Sequence, residues 1–422
     1  LPEHAVNTTQ RRSDVCVQLF QGSGLFWLIE QARQWQFRSH LCQGLIPLHI
    51  RDKREHFTLH MLGKIGTNGL LNEDSEAREM WFTPSELQRL SLREGDSLVT
   101  EGGDVGRPAF IGNDLPGVGF QNSVIRLRPK LTTHPKFLFY AMDYLYRGGH
   151  VDRVCSAVSL KHFTAEKVAV QSIPLPDFET QRRIADYLDK ETGEMDAMIR
   201  EFDGLVRNLQ ARKPMLIDNL LAGFPVAPLA LSWKVVDCLH ITAPFIGSGE
   251  NYLVSIEQLG SENLILDGAN RTDGNTFSKL REGERKPSPG DVIMSRNASV
   301  GKSSIVKESD PPIALGQDVV IFKNNDKNDS RLLYYFLQSN ALMRTVEMNT
   351  VGSTLKRINV GSIKSLPYPV LALEKQQLIA EQLQRETAKM DALIEESTRL
   401  IENLKARKTA LITEVVTGRK EV

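Results

Sequence analysis

Glu179 to Gly223 reads ETQRRIADYLDKETGEMDAMIREFDGLVRNLQARKPMLIDNLLAG, and Glu374 to Gly418 reads EKQQLIAEQLQRETAKMDALIEESTRLIENLKARKTALITEVVTG. The two stretches align without a gap at a constant offset of 195, with about 21 of 45 positions identical. A repeat on this scale constrains the architecture before any other feature is weighed. In the first copy Ile184, Leu188, Met195, Ile199, Phe202, Val206, Leu209, Leu216 and Leu220 fall at steps of three and four, or their sum. In the second, Ile379, Leu383, Met390, Ile394, Ile401, Leu404, Leu411 and Val415 keep that register, with Ser397 in place of Phe202. A 3–4 apolar stripe on an otherwise charged segment is the seam of a helix that needs a partner helix, and the obvious partner is the other copy. The expected seam is Leu188, Met195, Ile199, Phe202 and Leu209 against Leu383, Met390, Ile394, Ile401 and Leu404. At ~1.5 Å per residue each helix spans about 65–70 Å. Two ordinary core helices in one globule share this periodicity; the length and matching register favour pairing.

The repeat extends upstream of the helices. Gly95-Asp96 matches Gly290-Asp291 and Val105-Gly106 matches Val300-Gly301 at the same offset, while Gln121-Asn122 corresponds to Gln317-Asp318 at 196. Each Gly-Asp opens what reads as two short strands joined by a small polar loop. Leu138 and Tyr140 match Leu333 and Tyr335 in a short helix, and Leu160-Lys161 matches Leu355-Lys356. A proline pair (Pro174 and Pro176; Pro367 and Pro369) then marks an extended approach to each long helix. Phe57 stands opposite Tyr252, which starts the first unit near residue 35. The fold class is therefore α+β, with two similar α/β globules, each followed by a long helix, and the two helices pairing as an antiparallel coiled coil. The expected boundaries are an unassigned N-terminal extension (1–35), a first globule (36–178), the first helix (179–223), a second globule (224–373) and the second helix (374–418). Similarity is high in helices and strand frames and low in the loops between them, as expected of one scaffold carrying two surfaces.

Composition excludes several classes. Fifty-two basic and fifty-two acidic residues balance, so any nucleic-acid face is local and a non-specific DNA coater is disfavoured. Cys16, Cys42, Cys155 and Cys238 are scattered with no CxxC pair, which points to a reducing cytoplasm and no zinc site. No stretch approaches the ~18 apolar residues of a membrane helix, and Leu25–Ile29 is too short for a signal-peptide core.

Signals of catalysis fail on inspection. Arg296–Ser303 (RNASVGKS) has arginine where a phosphate loop needs its first glycine. His56–His60 (HFTLH) has phenylalanine where a zinc protease needs its glutamate. The tetrapeptides of amino-group DNA methyltransferases, GxGxxG, GxSxG and Cys/His metal spacings are missing, so the chain reads as non-catalytic, with no metal site. Lys213 and Lys408, from the shared Ala-Arg-Lys, fall close to the seam; there they either fix register and orientation or snorkel to solvent. Pro214, opposite Thr409, lacks a backbone donor and is expected to kink or break the first helix.

For a globule that reads DNA, basic and amide side chains near predicted loops are the candidate base and phosphate contacts. The first unit offers Arg107, Gln121, Arg126, Arg128 and Lys161; the second offers Arg296, Asn297, Lys302, Gln317, Lys356 and Arg357. For any one of them a solvated surface residue is the plain alternative.

The long repeated helices, the proline approaches Ile173-Pro-Leu-Pro176 and Leu366-Pro-Tyr-Pro369, the ARK…LI stretch and GDSLVTEGGDVGR at 95–107 together resemble the specificity subunit of type I restriction-modification enzymes. The resemblance covers roughly residues 50 to 420. It implies that each globule is a target-recognition domain and that the subunit has no catalysis and no cofactor of its own. It further implies docking of modification subunits, which methylate adenine with S-adenosylmethionine, and of a restriction (motor-nuclease) subunit using ATP and magnesium. The first 35 residues, Pro214, and Ala157-Val-Ser159 in place of Gly352-Ser-Thr354 depart from the pattern. Antiparallel helices would relate the globules by an approximate two-fold, suiting duplex DNA with half-sites a turn (~34 Å) or a multiple apart. Divergent loops then imply a bipartite, asymmetric target. A structural adaptor bridging two protein partners accounts equally for the helices, but not for a repeated frame with divergent loops. A fused methyltransferase finds little room.

On this reading helix length acts as a ruler. Inserting four residues after Leu205, in one helix only, is expected to change the unread spacer or abolish binding. Selection of bound duplexes from a random pool reads this out, and an unaltered spacer would contradict it.

Overall fold

In this computed structural model, residues 27–31, 55–60, 78–120, 123–155, 161–349 and 357–422 are described. The chain divides into two compact units, Leu1–Glu201 with Leu400–Val422, and Phe202–Arg399. The long helices run Phe178–Leu221 and Leu373–Val416, so each gives one end to each unit.

In the first unit, short apolar strands make an antiparallel sheet because Gly-rich turns reverse the chain every few residues. Its strands are β1 (Trp27–Gln31), β4 (Ser97–Thr100), β5 (Pro108–Phe110) and β7 (Val124–Pro129), in the order β1-β7-β4-β5. A three-stranded sheet places β2 (Glu55–His60) between antiparallel β3 (Arg78–Phe82) and parallel β6 (Val118–Phe120). The second unit repeats the plan. There β9 (Lys234–Asp237), β11 (Val292–Ser295), β12 (Ser303–Ile305) and β14 (Val319–Lys323) form a sheet in the order β12-β11-β14-β9. As with β2 and β6, β10 (Tyr252–Val254) lies parallel to β13 (Ile313–Leu315). A small antiparallel pair, β8 (Val226–Pro228) with β15 (Pro367–Pro369), completes the unit.

One sequence boundary is corrected. Trp27–Gln31 belongs to the first sheet, running antiparallel to β7 as β9 does to β14, so part of the expected N-terminal extension is an edge strand of the globule. The repeat missed it because a 195-residue shift of β1 falls short of β9: the two edge strands are not equally spaced from the rest of the frame.

Identical residues hold the two frames. Asp96 and Asp291, each 1% exposed, accept from the amides three residues earlier, Arg93 N at 2.9 Å and Ser288 N at 2.8 Å. Each also takes a cation from the neighbouring strand: Arg128 at 2.6 and 2.7 Å on Asp96, and Lys323 on Asp291. A buried carboxylate is tolerable only with this degree of satisfaction. Gln181 and Gln376, also 1% exposed, tie each long helix to its globule. Their carbonyl oxygens accept from His134 N (2.8 Å) and Asp329 N (3.0 Å). Their amide nitrogens donate to the carbonyls of Pro176 (2.8 Å) and Leu371 (2.9 Å).

The helices pair antiparallel within each unit. In the first, Ile184, Leu188 and Met195 share a core with Leu411, Ile412, Val415 and Val416. In the second, Ile379, Ala380 and Leu383 share one with Ile217, against which Leu216, Leu220 and Leu221 pack. Of the expected seam, Leu188, Met195, Leu209, Leu383 and Ile401 are buried, and Ile199, Phe202, Met390, Ile394 and Leu404 are half-buried. The two lysines cross the seam: Lys408 Nζ donates to both oxygens of Asp196 at 2.8 and 2.7 Å, and Lys213 pairs with Asp391. Each bond is the other's counterpart under the 195-residue offset, as an antiparallel pairing of two copies requires. The helix does not break at Pro214 but continues to Leu221. Packing of the following turn around Ile217, 1% exposed, outweighs the lost backbone bond.

The two ion pairs differ in burial, and this gives a test. Lys408 and Asp196 are 6% and 22% exposed, whereas Lys213 and Asp391 are 22% and 57% exposed. Lys408→Ala is expected to cost about 3 kcal/mol by stranding Asp196, but Lys213→Ala only about 0.2–1 kcal/mol. In the swap Lys408→Asp with Asp196→Lys, part of the loss should return. Urea unfolding of single and double variants measures both.

Candidate nucleic-acid interface

The two units present unlike side chains from one backbone frame. The last residue of β4 leads into Glu101 and that of β11 into Arg296. Glu101 N donates to the Ser123 carbonyl at 2.8 Å and Arg296 N to that of Asp318 at 2.9 Å. Their own carbonyls accept from Phe163 N and Ile358 N, both at 2.9 Å. The loop from each strand returns through a left-handed glycine, Gly106 (φ +86°) or Gly301 (φ +92°). Any Cβ there would lie 2.7 Å from Val151 or 2.9 Å from Leu342, so glycine is required twice over, by conformation and by space. Between these fixed ends the sequences diverge, Gly-Gly-Asp-Val in one and Asn-Ala-Ser-Val in the other. After Gly301-Lys302 the chain enters β12 and not a helix, so the phosphate-loop geometry is missing. His56–His60 likewise lies in strand β2, not on a zinc-protease helix.

In the first unit, two of the expected DNA contacts belong to the scaffold. Arg126 is 1% exposed, and its Nη1 donates to the carbonyls of Arg89 and Ser91, both at 2.9 Å. Burial, with Arg128 adding repulsion, pulls its pKa down to about 10. Arg128 is committed to Asp96 and to the Ser91 carbonyl at 3.2 Å. Both arginines pin the end of helix Pro84–Leu90 onto the sheet; alternation along β7 did not reveal this because their acceptors are distant in sequence. Arg107 is half-buried and paired with Asp104, which also accepts from the Tyr146 hydroxyl at 2.9 Å. Lys161 is exposed, 2.6 Å from Asp152. Asp104, Tyr146, Asp152 and Lys161 line a cleft of about 480 Å³ with Arg147 and Thr409. Arg147 is held by Asp143, at 2.8 Å to both oxygens. Burial pushes the Asp143 carboxyl above its usual range, against the pull of Arg147.

In the second unit Arg296 is 4% exposed and turned inward, a further correction. Its Nη2 lies 2.9 Å from His240 Nε2 and its Nε 3.5 Å from Asp237 Oδ1. Asn297 Oδ1 accepts from Ala298 N at 3.0 Å, and Asn297 bridges Arg357 through the backbone. Lys302, Gln317 and Arg357 are exposed, and Gln317 Nε2 donates to Thr242 Oγ1 at 3.2 Å. Thus Asn297, Gln317 and Arg357 come together around the buried Arg296. Gln121, Lys356, residues 157–159 and 352–354, Cys16 and Cys42 lie outside the described residues.

Asp237, which ends the edge strand β9, and His240 and Thr242 just after it lie outside the repeat's spacing and carry no motif that marks them in advance. Asp237, Cys238 and His240 bring three donor atoms within 4.8 Å of one another. A cation is disfavoured there, because the Arg296 guanidinium already abuts the imidazole and burial pushes the Cys238 thiol up, against thiolate formation.

Comparison with known proteins agrees with this frame. Residues 87–197 and 242–403, more than half the chain, match the family described as type I restriction modification DNA specificity domain. A solved structure bearing on complex assembly and conformational transition of the type I R-M system aligns at TM-score 0.63 and 18% identity, covering 88% of this chain and 94% of that one. The HsdS subunit from Thermoanaerobacter tengcongensis aligns at TM-score 0.45 and 17% identity over 88% and 92% of the two chains. The S subunit of a type I restriction-modification system from M. genitalium aligns at TM-score 0.37 and 11% identity over 94% and 98%. Comparison with curated proteins finds no match. With a DNA specificity domain matched twice on a duplicated frame, the chain belongs to the type I restriction-modification DNA specificity family.

Proposed function

We propose that this chain reads a bipartite, asymmetric DNA target, one part with each globule, and docks the modification and restriction subunits of a type I complex. The observation carrying the asymmetry is the exchange of Glu101 for Arg296 within one set of backbone hydrogen bonds. Two frames that hold opposite charges at one position favour different surroundings and hence different sequences. The chain does no catalysis of its own. Adenine methylation with S-adenosylmethionine and ATP- and magnesium-dependent motor and nuclease work fall to the partner subunits, in the cytoplasm. Among the described residues no helix is long and apolar enough to cross a membrane, which is compatible with that location.

Lys302 and Arg357, exposed near the loops that differ between the units, fit phosphate contacts that set register without reading bases. In complex with modification subunits, Lys302→Ala or Arg357→Ala should weaken binding evenly across sequences. Each should also reduce the salt dependence of log K by about 1. Fluorescence-anisotropy titrations at several salt concentrations test this; full-strength binding with an unchanged slope would remove both residues from the interface. Absence of specific binding by the complex would count against the function itself.

A further inference from the structure

Arg296, buried in the second unit, stands where the first unit has Glu101. Arg296 is 4% exposed, and its nearest carboxylate oxygen, on Asp237, lies 3.5 Å from Nε. Burying a guanidinium at that distance from its counter-charge is unfavourable unless other groups reward it. The frame does not demand it: Glu101, at the equivalent place, makes the same two backbone hydrogen bonds and is only half-buried. Arg296 therefore serves something particular to the second unit, and the group it touches is His240.

The His240 side chain is 52% exposed, yet both ring nitrogens lie near Arg296 Nη2, at 2.9 and 3.3 Å. Asp237 Oδ2 stands 3.2 Å from the same Nε2. An exposed imidazole ordinarily samples several rotamers; this one meets a buried cation and a carboxylate at one ring nitrogen, which restrict it. Such preorganisation lowers the ordering cost of a contact made later. Two residues on, Thr242 accepts from exposed Gln317. The amide of Arg296 donates to the carbonyl of Asp318, and Asn297 and Arg357 are bridged alongside. The ring thus lies among exposed Thr242, Gln317 and Arg357 with half-buried Asn297 beside them, hydrogen-bonding side chains of the kind that direct readout of base edges needs.

We infer that His240 is a specificity-determining residue that contacts a base edge in the part of the target read by the second unit, and that Arg296 is its positioning residue. The inference rests on the proposed reading of DNA by that unit. The exchange of Glu101 for Arg296 is then the means by which one frame carries a histidine-based contact on one side only.

The test is selection of bound duplexes from a random pool by the full complex with modification subunits. It compares the natural chain with His240→Ala, His240→Gln, Arg296→Gln and Arg296→Lys. His240→Ala is expected to relax discrimination about tenfold or more at one base pair in one part of the target, with the other part unchanged. Arg296→Gln should relax the same position, and Arg296→Lys should restore part of the preference. The unaffected part of the target reports that each variant is folded, which a loss of structure would not leave intact. An unaltered motif, or equal weakening at every position, would overturn the role of His240. A natural complex that selects no motif would overturn the DNA reading itself, and the inference with it.

Discussion

An apolar stripe on a charged helix can leave water only against another such stripe. Here the partner is the other copy of the same segment, and the helices meet antiparallel in each unit. Lys408 with Asp196 and Lys213 with Asp391 set that direction chemically, since each lysine finds its carboxylate only where the two chains run opposite ways. Had they run parallel, like positions would have faced like, lysine beside lysine and aspartate beside aspartate. The pair in the first unit is buried and has Asp143 and Arg147 close by, while the one in the second is open to water. The same two residue types therefore contribute unequally at the two places.

The globules rest on a second duplicated economy. Buried Asp96 and Asp291 organise the turns before the central strands, and buried Gln181 and Gln376 fasten each helix to the turn ahead of its globule's short helix. These groups lie inside and are satisfied, so they tolerate little change. Loop side chains that point to water are under no such constraint. A chain that keeps its frame while altering its loops can alter what it recognises without altering how it folds. An adaptor without a role on DNA would account for the helices alone; the DNA specificity match takes in both globules as well.

Periodicity, the 195-residue offset and the Gly-Asp and Val-Gly pairs were enough to determine two α/β globules, two long helices and their pairing, because these depend on local pattern and on one long-range identity that one chain displays. The choice between snorkelling and bonding for Lys213 and Lys408 was not readable, since it turns on which residue of the opposite helix lies across. Arg126, Arg128 and Arg296 look like surface arginines in the sequence, but their acceptors are tens of residues away and only the folded chain brings them together. Continuation of the helix through Pro214 and membership of Trp27–Gln31 in the first sheet were decided the same way, by packing and by edge pairing that override local preference. His240 escaped notice because its place depends on an edge strand spaced differently in the two copies. Sequence repeats disclose what the copies share; what distinguishes them is set by contacts between segments that the repeat does not align.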